Sequence, residues 1–252
     1  MTARATWVWE RPAPDELLNW VRDRSVNEVF LGVGADLGSS GDLDWVRSLV
    51  ELLHAEGVRV AALGGDKSWV GNPDPALAWQ RAVVGTRLFD SVHVDIEVWA
   101  RDDWDDNRVA LGAAYLALLR SLAATCPLPL EADIAFHLHE VPTATSDSLE
   151  TAVMRVVDAV TVLSYRNFVS GPDSITGVSA SALAAAQRLS LPCRLAVETK
   201  YLGHEPVCRK QTFHGLGQAA LQSAMTQVDT LLGSASSYAG IAVHDYEHWR
   251  AL

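Results

Sequence analysis

Positive charge and cysteine are both scarce in this sequence, and each shortage excludes a class of protein. The chain has 20 Lys and Arg against 31 Asp and Glu, a net charge of -11. We therefore expect no nucleic-acid partner, and no basic patch indicates a membrane surface. Its three cysteines, Cys126, Cys193 and Cys208, are odd in number and lack the spacing of metal ligands. They argue against a disulfide framework and fit the reducing interior of a cell.

Long apolar runs are also missing, which bears on location and domain organisation. Residues 1–7 contain no apolar run of signal-peptide length, and we identify no segment apolar enough to cross a bilayer. We therefore expect a cytoplasmic protein without a membrane partner. The 252 residues are 49% hydrophobic, enough for a substantial core. Because no linker, repeat or low-complexity tract appears, we predict a single domain over residues 1–252.

Strand-like and helix-like segments alternate along the chain, which predicts an α/β fold. We predict strands at residues 6–10, 28–33, 58–63, 91–99, 130–138, 159–165, 193–200 and 239–246. We predict helices at residues 15–24, 42–56, 75–86, 105–125, 146–157, 179–190 and 217–232, with at most a short eighth at 247–252. This count is typical of a single (β/α)₈ TIM barrel with a reduced or missing eighth helix. An open doubly wound sheet is disfavoured because no glycine-rich phosphate loop follows the first strand.

The fourth predicted strand is the most informative segment. Its Val and Ile content and its period of two predict a strand whose side chains alternate between two faces. His93, Asp95 and Glu97 therefore share one face, and the aliphatic residues share the other. We expect the ionisable face to lie inside the barrel, with Glu97 nearest the mouth. Buried ionisable groups destabilise a fold unless they are paired, so this set indicates chemistry.

Polar residues follow nearly every predicted strand, at the end where barrel enzymes carry their active sites. Contact with solvent would explain a polar residue at any one strand end. It explains less well why nearly every strand end carries one. Aromatic faces among them could stack on apolar ligand faces, those of sugar rings included. The candidate substrate-binding residues are Trp9, Glu10, Asp66, His93, Trp99, Asp133, His137, Arg166, Glu198, Lys200, His244 and Tyr246.

Two short segments carry a resemblance to a known family. Residues 90–97 read Asp-x-x-His-x-Asp-x-Glu, which resembles the fourth-strand motif Asp-x-x-Asp-x-Asp-x-Glu of the family 18 glycoside hydrolases, the chitinase-like barrels. Residues 163–166 read Leu-Ser-Tyr-Arg, similar to the family's sixth-strand Met-x-Tyr-Asp. The chain departs from the family where His93 and Arg166 replace Asp. It departs again near His244, where the family's eighth strand often ends in Trp.

The resemblance implies catalytic roles for three residues. Glu97 would be the general acid, Asp95 would hold the substrate's 2-acetamido group, whose carbonyl is the nucleophile, and Tyr165 would hydrogen-bond the same group. Repulsion between Asp95 and Glu97 should raise one pKa, which suits a proton donor. We expect Arg166 to form an ion pair at the mouth with one of these carboxylates or with Glu198, which would oppose acid catalysis and favour an anionic substrate group.

Three other interpretations compete with glycoside hydrolysis. Imidazole and carboxylate side chains at the mouth could hold a metal, and His137 and His139 would share a face if the fifth strand continued that far. No recognised ligand spacing appears, so we predict neither metal nor cofactor. A non-hydrolytic isomerase, lyase or cyclase could use the same acid–base set on a small metabolite. A non-catalytic sugar-binding barrel is the third, which Glu97 argues against and Arg166 argues for.

Overall fold

Eight parallel strands close into a barrel, in chain order, in the computed structural model, which describes residues 2–38 and 41–252. The strands are β1 Ala3–Val8, β2 Glu28–Gly32, β3 Arg59–Gly64, β4 Ser91–Val94, β5 Leu130–Ala135, β6 Ala159–Leu163, β7 Cys193–Glu198 and β8 Tyr238–His244. β8 pairs with β1 to close the ring. The predicted TIM barrel is confirmed.

Helices lie between the strands and around the barrel. They are α1 Pro14–Arg24, α2 Leu43–Ala55, α3 Asp74–Thr86, α4 Trp104–Thr125, α5 Leu149–Met154, α6 Ile175–Val178, α7 Ala180–Leu189, α8 Pro206–Lys210, α9 Gly217–Leu232 and α10 Tyr246–Arg250. α10, with five residues, is the reduced eighth helix that the sequence predicts. The short helices α6 and α8 lie in the connections after β6 and β7, where we predict no helix from the sequence.

The fourth strand has the predicted register but is shorter than predicted. The chain turns into a short 3₁₀ helix at Val98–Ala100, so the strand does not continue to residue 99. The backbone N–H of Asp95 still donates to the carbonyl of Gly64 at 3.0 Å, which extends the pairing beyond Val94. Val92, Val94 and Ile96 pack outward between barrel and helices. His93 lies inside, stacked on Phe30 with ring centroids 3.9 Å apart.

The core has two layers, separated by the strands. The outer layer lies between strands and helices and is mostly aliphatic. The inner layer fills the barrel with two large rings, Trp7 and Phe30, among small alanines and leucines. Because large and small side chains alternate there, the barrel is packed rather than hollow below its mouth. The polar residues of the interior sit directly against these rings.

Helix α4 corrects one expectation from the sequence. It is 22 residues long and, by length and composition alone, apolar enough to cross a membrane, the one such helix in the described parts of the chain. The expectation that no segment meets this test was therefore wrong. In the barrel α4 belongs to the outer layer, where Tyr115, Leu119 and Leu122 are fully buried in the core. Core helices of barrels pass the same test, because one side of them is apolar.

Candidate active site

The mouth of the barrel brings together the ends of four strands. β4 and the residues after it supply Asp95 and Glu97, the segment after β6 supplies Tyr165, and β7 and β8 end at Glu198 and His244. The rings of Tyr165 and His244 are 6.1 Å apart. Negative charge on Glu97 raises the pKa of Asp95, and negative charge on either carboxylate raises the pKa of Tyr165. The three residues predicted as catalytic thus lie in one place.

Asp95 has an unusual carboxyl group. Its Oδ1 is buried and accepts no hydrogen bond from any described residue. Burial, and then the negative charges of Asp133 and Glu97, raise the pKa of this carboxyl well above its usual range. The nearby imidazole of His244 opposes the shift only weakly. The shift favours the protonated carboxyl, which can donate one hydrogen bond and accept another.

Glu97 lies one step closer to solvent and is partly exposed. Burial raises the pKa of its carboxyl, and the charge of Asp133 adds to the shift. A hydrogen bond from Trp99 and the charges of His244 and Lys67 act in the opposite direction. A carboxyl group that is accessible and has a raised pKa can serve as a proton donor.

Tyr165 supplies a neutral hydroxyl to the same site. Burial, and then the charge of Glu198, raise the pKa of its phenol well above the usual range. The hydroxyl therefore keeps its proton at any ordinary pH. It can donate a hydrogen bond to a substrate oxygen at the mouth.

Glu198 and His244 form an ion pair on the far side of the mouth. His244 Nδ1 lies 3.0 Å from Glu198 Oε2, and the backbone N–H groups of Thr199 and Lys200 donate to Glu198 Oε1. Burial would lower the pKa of His244, but Glu198 outweighs it and the pKa rises to about 9. The indole N–H of Trp9 points at His244 Nε2 across 3.3 Å. That nitrogen can accept the bond only when His244 is neutral.

His93 and Asp133 lie beneath the mouth, in the barrel interior. His93 Nε2 is 3.0 Å from Asp133 Oδ1, and its Nδ1 is 3.5 Å from Glu131 Oε2. The indole N–H of Trp7 donates to Asp133 Oδ2 at 3.1 Å. Burial opposes the charged imidazole, but Asp133 and Glu131 outweigh it and raise the pKa of His93 to about 9.

A cavity of about 510 Å³ opens at the ends of β1, β2 and β3, and the side chains of Asp95, Glu97 and Tyr165 are not among its lining residues. Trp9, Asp66 and Trp69 line it, together with glycines of β2 and β3. Gly65 must be glycine here because a Cβ would overlap the carbonyl oxygen of Asp95. Asp66 caps the turn at Lys67–Trp69 by accepting from the backbone N–H of Ser68. Its carboxylate lies at the cavity but is already engaged by that turn.

Arg166 does not point at the mouth, contrary to the sequence prediction. Its guanidinium donates to Asp173 Oδ1 from Nε and Nη2, at 2.9 and 2.7 Å, and to the carbonyl of Tyr165. The ring of Phe136 covers it, and Lys210 also pairs with Asp173. The connections after β6 and β7 are thereby clamped together. The cation that was expected to oppose acid catalysis is neutralised away from Asp95 and Glu97.

Two more candidates from the sequence, Tyr246 and His137, have other surroundings, and Lys200 reaches the site only through its backbone. Tyr246 packs on the outer layer against Trp20 rather than completing the pocket. The fifth strand ends at Ala135 and a 3₁₀ helix follows, so His137 and His139 do not share a strand face. Burial lowers the pKa of His137. Lys200 contributes its backbone N–H to Glu198, but its side chain is exposed.

Glu10 is exposed at the end of β1 and pairs with the carboxyl of Glu247. Among the residues that the structure describes, His, Cys, Asp and Glu form no group of three or more that could hold a metal ion. Both nitrogens of His93 already face carboxylates, which removes the best candidate ligand.

Sequence reasoning missed Trp7, Glu131 and Arg194, which line the barrel interior. Strand alternation could have found them. Trp7 shares the inward face with Ala5, and Glu131 lies two residues before Asp133. The same alternation places Arg194 on the face of Ala196 and Glu198, but an arginine at the start of a strand usually meets solvent, so the signal was easily overlooked.

Comparison with known proteins agrees with the fold. No family model matches the sequence, and no curated protein matches it. A chitinase from Bacteroides thetaiotaomicron aligns with a TM-score of 0.66 at 13% identity, over 98% of this chain and 90% of that one. The fold is that of the chitinase barrels.

Two further solved structures support this likeness. A GH18 chitinase from Pseudoalteromonas aurantia aligns with a TM-score of 0.59 at 13% identity, over 97% of this chain and 94% of its own. The Bacillus cereus spore cortex-lytic enzyme SleL aligns with a TM-score of 0.59 at 10% identity, over 99% of this chain and 73% of its own. The distant resemblance to the chitinase-like barrels is confirmed. At identities of 10–13% this likeness concerns the fold alone.

Proposed function

We propose that this protein is a glycoside hydrolase that acts on a saccharide containing an N-acetylated amino sugar, with Glu97 as its proton donor. The observation that carries the proposal is the pair of neighbouring carboxyl groups at the mouth, Asp95 and Glu97, whose pKa values are both raised. Most carboxyl groups at a protein surface are ionised at neutral pH and cannot donate a proton. A raised pKa favours the protonated carboxyl, so Asp95 and Glu97 beside the phenol of Tyr165 form an acid–base set.

In the proposed reaction Glu97 gives its proton to the leaving glycosidic oxygen as the bond to the anomeric carbon breaks. The carbonyl oxygen of the substrate's own acetamido group attacks that carbon, and Asp95 and Tyr165 hold this group in place. Ionised Glu97 then takes a proton from the water that opens the cyclic intermediate. Each group returns to its starting state, so the cycle is balanced in protons.

The shape of the mouth supports a sugar ring as the ligand. Trp9, with 43% of its surface exposed, stands at the rim of the cavity, and Trp69 lines it. Indole faces stack on the apolar faces of sugars. The Tobacco class V chitinase, whose barrel aligns over 79% of this chain with a TM-score of 0.52, was solved as a mutant in complex with NAG4, which fits the proposed substrate class.

A second candidate is a non-hydrolytic enzyme, an isomerase, lyase or cyclase, acting on a small polar metabolite. The observation in its favour is the Glu198–His244 ion pair, which stands where the chitinase-like family often has an apolar Trp under the sugar. A charged pair suits a ligand with its own polar groups at that place. Glu97 would remain the acid or base in either reaction.

The test is Glu97→Gln, which removes the proton and keeps the shape. A positioned acid contributes about 10²–10⁴-fold in rate, so we expect a loss of that size with binding retained. Turnover should be measured on N-acetylated amino-sugar glycosides and on a panel of small phosphorylated and carboxylated metabolites. Glu140→Gln is the matched control, because Glu140 is exposed and should be dispensable.

The outcomes separate the candidates. Glycoside turnover that Glu97→Gln abolishes supports hydrolysis. Turnover of a metabolite alone, still dependent on Glu97, supports the non-hydrolytic enzyme. Binding of glycosides with no turnover supports a sugar-binding barrel. Full activity of the Glu97→Gln variant on any substrate contradicts both enzymatic proposals.

A further inference from the structure

A second cavity of about 510 Å³ lies on the outside of the barrel, between α4 and α5. We call it the α4–α5 groove. One face of residues 109–120 of α4, the connection at 142–147 and residues 152–156 at the end of α5 line it. Its volume falls within the range of about 300–1,000 Å³ that is usual for small-molecule sites. Its lining residues are separate from those of the mouth, so it is a site of its own.

The floor of the α4–α5 groove is apolar. Val109, Ala113 and Leu116 follow one another at helical spacing and form one stripe on α4, and Ala152 and Val156 line the opposite side. Val109 is 54% exposed, and only 33% of the most apolar stretch of α4 is buried. Packing against the strands therefore explains only part of the apolar composition of α4. Exposed apolar surface inside a concave site is typical of ligand binding.

Two arginines lie towards the same end of the groove. A Cβ on Gly112 would come within 2.9 Å of the side chain of Leu149, so Gly112 is level with the first turn of α5. Both helices return the chain from the end of one barrel strand to the start of the next, so they run in the same direction. Arg120 and Arg155 lie further along α4 and α5 by similar numbers of residues, and both line the groove. They are therefore at nearly the same level.

The two arginines differ in their partners. Arg155 donates to Asp147 from Nε and Nη2, at 2.8 and 3.4 Å, so its charge is matched. Arg120 is exposed and forms no hydrogen bond or ion pair with any residue that the structure describes. The chain has a net charge of -11, yet this guanidinium has no carboxylate partner. An arginine in that state, at the end of an apolar groove, is complementary to an anionic head group.

We propose that the α4–α5 groove binds an amphipathic small molecule, whose apolar chain lies along α4 and whose carboxylate or phosphate head group pairs with Arg120. A guanidinium can donate two parallel hydrogen bonds to either head group. The stripe from Val109 to Arg120 is about 16 Å long at the rise of an α-helix, a length that suits an extended chain. The connection at 142–147 forms a wall beside the stripe, which admits a single free molecule and not the flat surface of a bilayer.

The head group is tested with octanoate and with octanol, its uncharged counterpart, by titration of the backbone amide NMR signals of the full chain. Octanoate should shift amides of residues 109–120 and 142–156 and bind more tightly than octanol. Arg120→Gln should weaken octanoate binding by at least about tenfold, the size of a lost hydrogen bond to a charged group, and leave octanol binding unchanged. Arg81→Gln is the control, because Arg81 is exposed on α3 and lies outside the groove.

The apolar floor is tested with Ala113→Phe, which places a ring in the groove. This variant should weaken the binding of octanoate and of octanol together. Ala110→Phe is the control, because Ala110 is exposed on the same helix and does not line the groove. It should leave both affinities unchanged.

Four outcomes would overturn the inference. They are no binding of octanoate, binding with amide shifts confined to the mouth, equal octanoate affinity in Arg120→Gln and the wild type, and binding to phosphatidylglycerol vesicles without binding of free octanoate. A dimer that Ala113→Phe dissociates would also overturn it, because a second copy would then cover the groove. The site lies outside the barrel, so none of these results depends on whether the mouth hydrolyses glycosides.

Discussion

Replacing Arg194 with Met should destabilise the barrel far more than removing any exposed ion pair. Arg194 makes three hydrogen bonds to Glu28 and Glu131, and the side chains of all three residues are 3–4% exposed. Methionine has a similar length and no charge. The variant would leave two buried carboxylates without their main cation. Breaking a buried pair on one side costs about 3–5 kcal/mol.

The pKa of Glu131 gives an independent magnitude. Burial alone would raise this pKa, but Arg194, His93 and Ser91 together outweigh it and hold the pKa at about 2 against an ordinary 4.5. A lowering of this size corresponds to roughly 3 kcal/mol of folding free energy at neutral pH. The two routes agree on a loss of several kcal/mol.

The sign of the pH dependence follows from the same shift. A carboxyl whose folded pKa lies below its unfolded pKa stabilises the fold above the unfolded value and loses that contribution as the pH falls. For Glu131 the window runs from about pH 4.5 down to about 2. By the linkage relation, less than half of this contribution remains at pH 3. The destabilisation by Arg194→Met should therefore shrink between pH 7 and pH 3.

Urea denaturation followed by tryptophan fluorescence measures this directly, at pH 7 and pH 3. Arg155→Met is the control, since Arg155 pairs with Asp147 at the surface with 54% of its side chain exposed. Exposed pairs contribute about 0–1 kcal/mol. If Arg194→Met loses no more stability at pH 7 than Arg155→Met, or loses the same amount at pH 3 as at pH 7, the electrostatic argument for the interior is wrong.

Two further predictions concern the mouth. Arg166→Met should lower the free energy of unfolding by about 1.5–3 kcal/mol, the usual contribution of hydrogen bonds to a charged group, because Arg166 is buried against Asp173. The NMR titration of the Glu97 carboxyl should stay unchanged in this variant. A shift of that titration would show that Arg166 acts on the site after all. The Trp9 indole should bind His244 Nε2 only above the pKa of His244, about 9, so the fluorescence of Trp9, taken as the difference from Trp9→Phe, should change with a midpoint near pH 9. The same transition in His244→Leu would contradict this assignment.

The sequence determined the barrel architecture and which side chains of β4, and of the residues directly after it, face the barrel interior. Alternating strand and helix signals, with a length near 250 residues, are sufficient for a TIM barrel. The alternation of aliphatic and ionisable residues in 92–97 is a local property of the chain, so it correctly placed His93, Asp95 and Glu97 inside. Asp95 and Glu97 are two residues apart and share a face, so the local sequence also predicted that they lie close together and that the pKa of one of them rises.

The tertiary structure alone decided which charges meet. His93 and Asp133 are 40 residues apart in the sequence, and Arg194 is 63 residues from Glu131. Closure of the barrel brings these inward-facing side chains together. A pattern of neighbouring residues cannot predict contacts over such separations. The direction of Arg166 depends on where the connection after β6 carries Asp173. Tyr246 faces outward because a helix, and not a continued strand, follows β8. Pairing within a low-dielectric interior depends on separations of a few ångströms, and these are fixed only when all eight strands are in register.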